Sequence, residues 1–202
     1  MKEKWDERYA GEDYAYGTRP NEWFAQQLAA WSPGTLLLPA EGEGRNAVHA
    51  ARQGWQVTAF DLSTMGRVKA MRLADAAGVR ITYHVGTLEE IAPLPTDFDA
   101  IAFCFAHFAA PARAPLTARL LAHLRPGAAV VFEALAKEQL AYQAHHGSGG
   151  PKEADMLYSV EEVRAEFAGI DFHVLEEVEL RLDEGPYHQG LAKVVRGAGV
   201  KS

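Results

Sequence analysis

Short apolar runs and helix-period segments take turns along most of the chain. TLLL (35–38), WQVTAF (55–60), VRITYHV (79–85), FDAIAFCF (98–105) and AAVVFEAL (128–135) have the length and residue types of buried strands. Helical stretches separate them: one running from a glycine turn to about Gln53, one from Ser63 to Ala77, and APLTARLLAHL at 114–124. Gly54 and Gly78 close the first two, and Arg125-Pro126-Gly127 turns the chain out of the third. A further helix begins near Pro20 (NEWFAQQLAAW) and is stopped by Ser32-Pro33-Gly34. This alternation predicts an α/β fold: a doubly wound, Rossmann-like parallel sheet with helices on both faces. The tail departs from the rhythm. Ser159-Val160-Glu161-Glu162 has the form of a capping box opening a helix. DFHVLEEVELRL (171–182), a turn at Glu184-Gly185-Pro186 and HQGLAKVV (188–195) then predict two strands joined as a hairpin. HHGSGGPKEAD (145–155) reads as a flexible segment too short to divide domains, and no repeat is present.

Composition narrows the class. A chain of 202 residues, 48% hydrophobic, fills one sizeable core, so one domain is expected. A net charge of -7 with scattered basic residues argues against nucleic-acid binding and against a polybasic membrane patch. The N-terminal MKEKWDERYAGEDY is charged and aromatic, not a signal peptide, and no apolar run is long enough to span a bilayer. A cytoplasmic protein is expected. Cys104, the single cysteine, lies in the apolar run FDAIAFCF and reads as a reduced core thiol.

The chemistry concentrates at PAEGEGRNAVHAA (39–51). Glycines at a strand-to-helix turn let backbone approach a ligand, and an acid ending the next strand accepts hydrogen bonds from ribose hydroxyls. Gly42 and Gly44 supply the turn, and Asp61 in TAFDLS lies nineteen positions beyond Gly42. The purely structural alternative is that the glycines permit tight packing and Asp61 caps the helix near Ser63. The turn also carries Glu41 and Glu43. Against a pyrophosphate about 5 Å away, each carboxylate costs on the order of 3 kcal/mol at an effective dielectric near 20. Helix-dipole attraction offsets only about 1 kcal/mol of that. A ligand with a cationic sulfonium and ammonium, but with the same ribose, suits the turn better. S-adenosylmethionine (SAM) is such a ligand. Glu43 is expected to face solvent in the first helical turn, leaving Glu41 to carry the charge argument.

The arrangement resembles class I SAM-dependent methyltransferases, most closely the small tellurite-resistance and thiopurine-type group. The matching stretches are WDERYAGEDYAYGTRPNEWF, EGEGRNAVHAARQGWQVTAFDLS, FDAIAFCFAHF, LRPGAAVVFEAL, GGPKEADMLYS and EGPYHQGLAKVV, from Trp5 to about Val195. The resemblance implies a seven-stranded, mostly parallel sheet with an antiparallel C-terminal hairpin, and SAM as cofactor at the C-terminal ends of the first strands. It divides the single domain into an N-terminal arm or lid and helix (1–32), a SAM-binding core (33–135), and a substrate-side loop, helix and hairpin (136–202). By position, Glu41, Gly42 and Gly44 would line the methionine part of SAM, with Arg45 and Asn46 beside it. Asp61 would hold the ribose, Leu62 and Ser63 would lie near the adenine, Thr87 and Leu88 would meet its edge, and backbone near Phe105 and Ala106 would close the pocket. The sequence departs from the pattern at Leu38, at Ala40 in place of the first loop glycine, and at Thr87, where an acid often stands.

Methyl transfer from a sulfonium is an in-line displacement, so positioning is the main requirement. An oxygen or nitrogen nucleophile also needs its proton removed, for which histidine is suited. His107, after the fourth strand, and His188, in the hairpin turn, are the candidates; each has a plain structural alternative. Tyr9 and Tyr16, with Trp5 and Tyr14, form a candidate lid that excludes water and places a ring against a sulfonium, or else simply anchor the arm. His145 and His146 lack partners for a metal, and no metal site is read. The expected partner is a small-molecule methyl acceptor, with no nucleic acid and no membrane, in a monomer or homodimer. A nicotinamide-dependent oxidoreductase and a non-catalytic SAM-binding module remain as alternatives.

Overall fold

A computed structural model describes residues 2–202; Met1 lies outside the described residues. Its centre is one sheet of seven strands: β1 (Thr35–Pro39), β2 (Gln56–Asp61), β3 (Thr82–Val85), β4 (Phe98–Cys104), β5 (Leu124–Leu135), β6 (Ile170–Asp183) and β7 (Gln189–Lys201). They lie in the order β3-β2-β1-β4-β5-β7-β6. The first five pair in parallel, whereas β7 runs antiparallel to both β5 and β6. The order reverses between β1 and β4, which leaves a crevice at their carboxyl ends where ligands bind in open α/β sheets.

Alternate strand residues feed two cores, as the pleat requires. Leu36, Leu38, Ala100, Ala102 and Val131 pack under α2 (Glu22–Leu28), α3 (Arg45–Arg52) and α4 (Thr64–Ala76). Leu37, Ile101, Phe103, Val130 and Phe132 face the opposite way, under α5 (Ala110–Ala122) and α7 (Val160–Glu166). Leu135, Leu157, Leu182, Ala192 and Val194 form a smaller cluster at the hairpin.

Several boundaries move for local reasons. The helix expected from Pro20 begins at Glu22, because Asn21 caps it by accepting from the Phe24 N–H at 2.8 Å. Val79 is still tied to the end of α4, its N–H donating to the Ala74 carbonyl, and β3 starts only at Thr82. α5 starts four residues before the expected Ala114, with Pro111 in its first turn, where a proline costs no hydrogen bond. The capping box at Ser159 and Glu162 forms in full. Two helices were not expected: α1 (Lys2–Tyr9) in the arm and α6 (Gln139–His146) before the glycine-rich loop. That loop is pinned: Ser148 is buried and accepts from Gln139 Nε2 at 2.8 Å. Among the described residues, no helix is long and apolar enough to cross a membrane.

Candidate functional site

The glycine turn sits at the carboxyl end of β1, and its backbone is unusual. Ala40, Gly42 and Gly44 all have positive φ, at 52°, 60° and 85°. Ala40 therefore holds a left-handed conformation that glycine would adopt without the 1–2 kcal/mol or so that L-residues pay there, which explains why a glycine suits this position. Gly44 caps α3, and a Cβ on it would lie 2.6 Å from Ala70 Cβ and 2.8 Å from Ala70 Cα on α4. Its glycine is thus required by packing. Gly44→Ala is expected to lower the unfolding free energy by at least about 2 kcal/mol, from strain at positive φ plus the backbone clash, and thermal melting measures the loss.

Glu41 turns inward. Its Oε1 accepts from the Ala47 N–H at 2.7 Å and its Oε2 from Asn46 Nδ2 at 3.4 Å. The carboxyl thus occupies the N-terminus of α3, the place where a helix ordinarily receives an anion. Burial pushes its pKa up to about 7, with the Ala47 N–H and the Arg45 charge opposing. Asp61 bridges two turns, with Oδ2 accepting from the Gly42 N–H at 3.1 Å and Oδ1 from the Ser63 N–H at 2.8 Å. Burial raises its pKa also. Asp61 does not cap α4; Ser63 does, accepting from the Gly66 N–H at 3.0 Å.

Glu43 corrects the sequence reading. It is buried, not solvent-facing, and its Oε1 meets Lys69 Nζ at 2.8 Å with both side chains nearly inaccessible. Its Oε2 also accepts from the Tyr16 N–H at 3.4 Å, so this ion pair fastens the arm to the turn. A carboxylate three residues from the start of a run looks solvated until the partner, 26 positions away, is known.

The arm closes over the turn. Tyr9 is buried, and its hydroxyl lies 2.7 Å from where a Cβ of Gly42 would stand. Trp5 stacks on Tyr9 at 5.6 Å, and Tyr16 meets Tyr9 edge-on at 6.4 Å. Tyr16 then contacts the His188 ring at 4.5 Å, and His188 contacts Phe105 at 4.5 Å. Phe105 holds a positive φ of 53° just beyond β4 and touches the His107 ring at 6.4 Å. The structure therefore brings Tyr9, Tyr16, Phe105, His107 and His188 into one aromatic line above the strand ends. Leu88 is buried in the second core and Leu62 is half-buried beside Asp61. Thr87 is exposed, and its hydroxyl accepts from the Glu90 N–H at 3.3 Å.

The two histidines sit in different settings. His188 Nδ1 lies 3.1 Å from Glu184 Oε2, and Arg45 Nη2 donates to the same oxygen at 2.9 Å. Glu184 has a pKa of about 2: hydrogen bonding from His188 and the Arg45 charge overcome its burial. It stays ionised, so Nδ1 carries the proton toward it and Nε2 is left as the basic nitrogen. Burial lowers the His188 pKa. His107 Nδ1 lies 2.8 Å from the Met156 carbonyl, which fixes the proton on Nδ1; its buried Nε2 has no partner. Burial lowers the His107 pKa to about 4, so it is neutral.

Sequence reasoning missed the groups that hold this corner together. Arg113 is fully buried, donates to the Leu157 carbonyl at 2.7 Å, lies 4.4 Å over the Tyr158 ring and pairs with Glu166 at 3.1 Å. It thereby fixes the segment that presents the Met156 carbonyl. Asn21 Nδ2 reaches Glu133 Oε1 at 2.6 Å and Glu184 Oε1 at 3.2 Å. Cys104 is a free thiol whose pKa burial pushes up, flanked by Glu41, Arg45 and Glu133. A lone glutamate inside AAVVFEAL was the one available signal for Glu133. Among the described residues, no group of three or more His, Cys, Asp or Glu side chains is arranged to hold a metal ion.

Residues 39–127 match a family model described as a methyltransferase domain. No relative among curated proteins matches the chain by sequence. Among solved structures, one described for the conversion of a disulfide bond into a thioacetal group during echinomycin biosynthesis is similar at 23% identity, covering 100% of this chain and 92% of that one, with a TM-score of 0.77. The N-methyltransferase NodS from Bradyrhizobium japonicum, in complex with S-adenosylhomocysteine, is similar at 12% identity, 99% and 97% coverage, and a TM-score of 0.69. A TehB-like SAM-dependent methyltransferase from Corynebacterium glutamicum is similar at 17% identity, 99% and 95% coverage, and a TM-score of 0.61. The fold is therefore that of these enzymes, along the whole chain.

Proposed function

We infer that this chain, which carries a class I SAM-dependent methyltransferase domain, passes a methyl group to a small-molecule nucleophile. The observation that carries the choice of donor is the Glu41 carboxyl on the Ala47 N–H. The protein's own acid fills the helix N-terminus that a dinucleotide pyrophosphate would need, so a nicotinamide cofactor meets a charge where it requires a donor. The antiparallel β7 also stands where a second nucleotide-binding half would continue in parallel.

The donor set fits SAM. Glu41 and Asp61 are buried carboxyls without a direct ion pair among the described residues, and a sulfonium or ammonium nearby would add a favourable charge. SAM, when bound, provides an electrophilic methyl on a cationic sulfur. Asp61 accepts from the Gly42, Ser63 and Leu62 N–H groups, and its two oxygens have lone pairs to spare for ribose hydroxyls. Tyr9 and Tyr16 exclude water over the turn. His188, oriented by ionised Glu184, takes the acceptor's proton at Nε2; His107 accepts a hydrogen bond at its unpartnered Nε2 and orients the same acceptor.

Titration calorimetry with SAM, S-adenosylhomocysteine and NADH tests the reading. SAM and its product are expected to bind in the micromolar range, about -8 kcal/mol, with NADH giving no heat. NADH binding without a response to SAM overturns it.

A further inference from the structure

Beside the His188 corner lies a cavity of about 1020 Å³ between the arm and the hairpin, lined among others by Tyr16, Asn21, Trp23, Glu133, Glu184 and Arg196. Tyr16 and Glu184 belong to both places, so the cavity opens directly beside the proposed base. Its volume suits a small ligand.

Glu133 is a buried acid on its wall. It is only 2% exposed, and among the described residues it has no ion-pair partner. Asn21 Nδ2 donates to Oε1, but an amide cannot neutralise a carboxylate. Asn21 is itself held in place: its Oδ1 accepts from the Phe24 N–H at 2.8 Å, and its N–H donates to Asn46 Oδ1 at 2.8 Å. Arg196, which the β5–β7 register sets opposite Glu133, turns away to Glu176 at 2.7 Å and lies 4.5 Å over the Trp23 ring. Arg45 is committed to Glu184. The two cations whose charges reach Glu133, Arg45 and Arg196, are thus each paired with another acid and only partly offset its burial, which leaves a buried carboxyl on a cavity wall able to take a cation from a ligand.

We propose that this cavity binds the methyl acceptor and that Glu133 selects acceptors bearing a protonated amine. The proposal rests on the methyl-transfer reading for what happens next, but the amine preference is measured by binding alone. The groups facing Glu133 are Asn21 from the start of α2, Arg45 from α3, Cys104 from β4, Arg196 from β7 and Glu184 from the hairpin, with Glu41 beyond Cys104. Burial holds the Glu133 pKa up to about 7, with the Asn21 hydrogen bond opposing. A bound ammonium requires the ionised form. Amine affinity therefore rises as pH increases through that value.

The test is calorimetry of the S-adenosylhomocysteine-loaded protein with 2-phenylethylamine and, as an uncharged match, 2-phenylethanol. The amine is expected to bind at least about tenfold more tightly at pH 8, and to gain about tenfold between pH 6 and pH 8 as a carboxyl with a pKa near 7 ionises. The alcohol is expected to show no such rise. Glu133→Gln abolishes both differences; a pH rise that survives in this variant belongs to another group, Glu41 or the His188 beside Glu184, and overturns the assignment. Equal affinity for the two compounds, or no binding of either, also overturns it. Should Glu133→Gln fail to fold, a flat amine affinity in the natural protein decides against the proposal. SAM binding followed in parallel separates the two readings, since its loss sinks the methyl-transfer reading and leaves the amine preference to its own result.

Discussion

Asp61→Asn is expected to weaken SAM binding by at least about a hundredfold, near 3 kcal/mol, and to lower the melting temperature with it. Two effects add. The carboxylate takes the Gly42 and Ser63 N–H groups, one on each oxygen, and hydrogen bonds to a charged acceptor contribute about 1.5–3 kcal/mol each. Asparagine satisfies one of those donors and sets its own NH2 against the other, so the glycine turn loses its tie to β2. In the proposed site the ribose diol then also loses a charged acceptor. Thr87→Ala is the contrast. Thr87 is exposed and already engaged with Glu90, so a change below about threefold is expected, in line with an ordinary surface substitution. Calorimetry on both variants checks the pair. SAM affinity within threefold of the natural protein in Asp61→Asn removes Asp61 from the site.

What the sequence disclosed follows from the range of the interactions involved. The strands and their crossovers are legible because burial on both faces writes continuous apolar runs, and the glycine turn and Asp61 are legible because they lie within one βαβ unit. Ser159 and Glu162 announce their helix because a capping box is complete within four residues. The network around Glu184 is not legible. Asn21, Arg45, Glu133 and Glu184 come together from separations of up to 163 positions, and no local pattern encodes that meeting. Glu43 shows the same failure in a single residue: a first-turn helical position predicts solvent, whereas it lies in the turn just before α3, where Lys69 of α4 makes burial tolerable. α1 was missed because KEKWDERY is mostly polar; what fixes it is Tyr9 and Trp5 stacking over the turn, and Asp6 accepting from Ser63 Oγ at 2.6 Å and the Met65 N–H at 3.1 Å. The residues that escaped detection are those whose setting is conferred by tertiary contact.

That network yields the sharpest division between stability and chemistry. Glu184→Ala leaves Arg45 buried without its partner, which is expected to cost about 3–5 kcal/mol of unfolding free energy. It also frees the His188 ring, so turnover falls by about two to four orders of magnitude, the range lost with a general base. Removing both charges, as in Arg45→Met with Glu184→Leu, replaces a buried ion pair by apolar volume and is expected to recover most of the stability. Activity does not return, because nothing then holds the Nδ1 proton toward a carboxylate. His188→Phe completes the comparison. It keeps ring contacts with Tyr16 and Phe105, and is expected to fold normally yet lose turnover to the same degree. The pH profile carries an independent sign. Burial lowers the His188 pKa below its ordinary value of 6.5, so the base stays neutral throughout the neutral range and kcat/KM declines only below about pH 6.5, where the imidazole takes up a proton. The acid limb vanishes in His188→Phe, leaving a low, flat rate. A double variant that regains stability together with full turnover assigns Glu184 to folding alone, and full turnover in His188→Phe takes His188 out of the reaction.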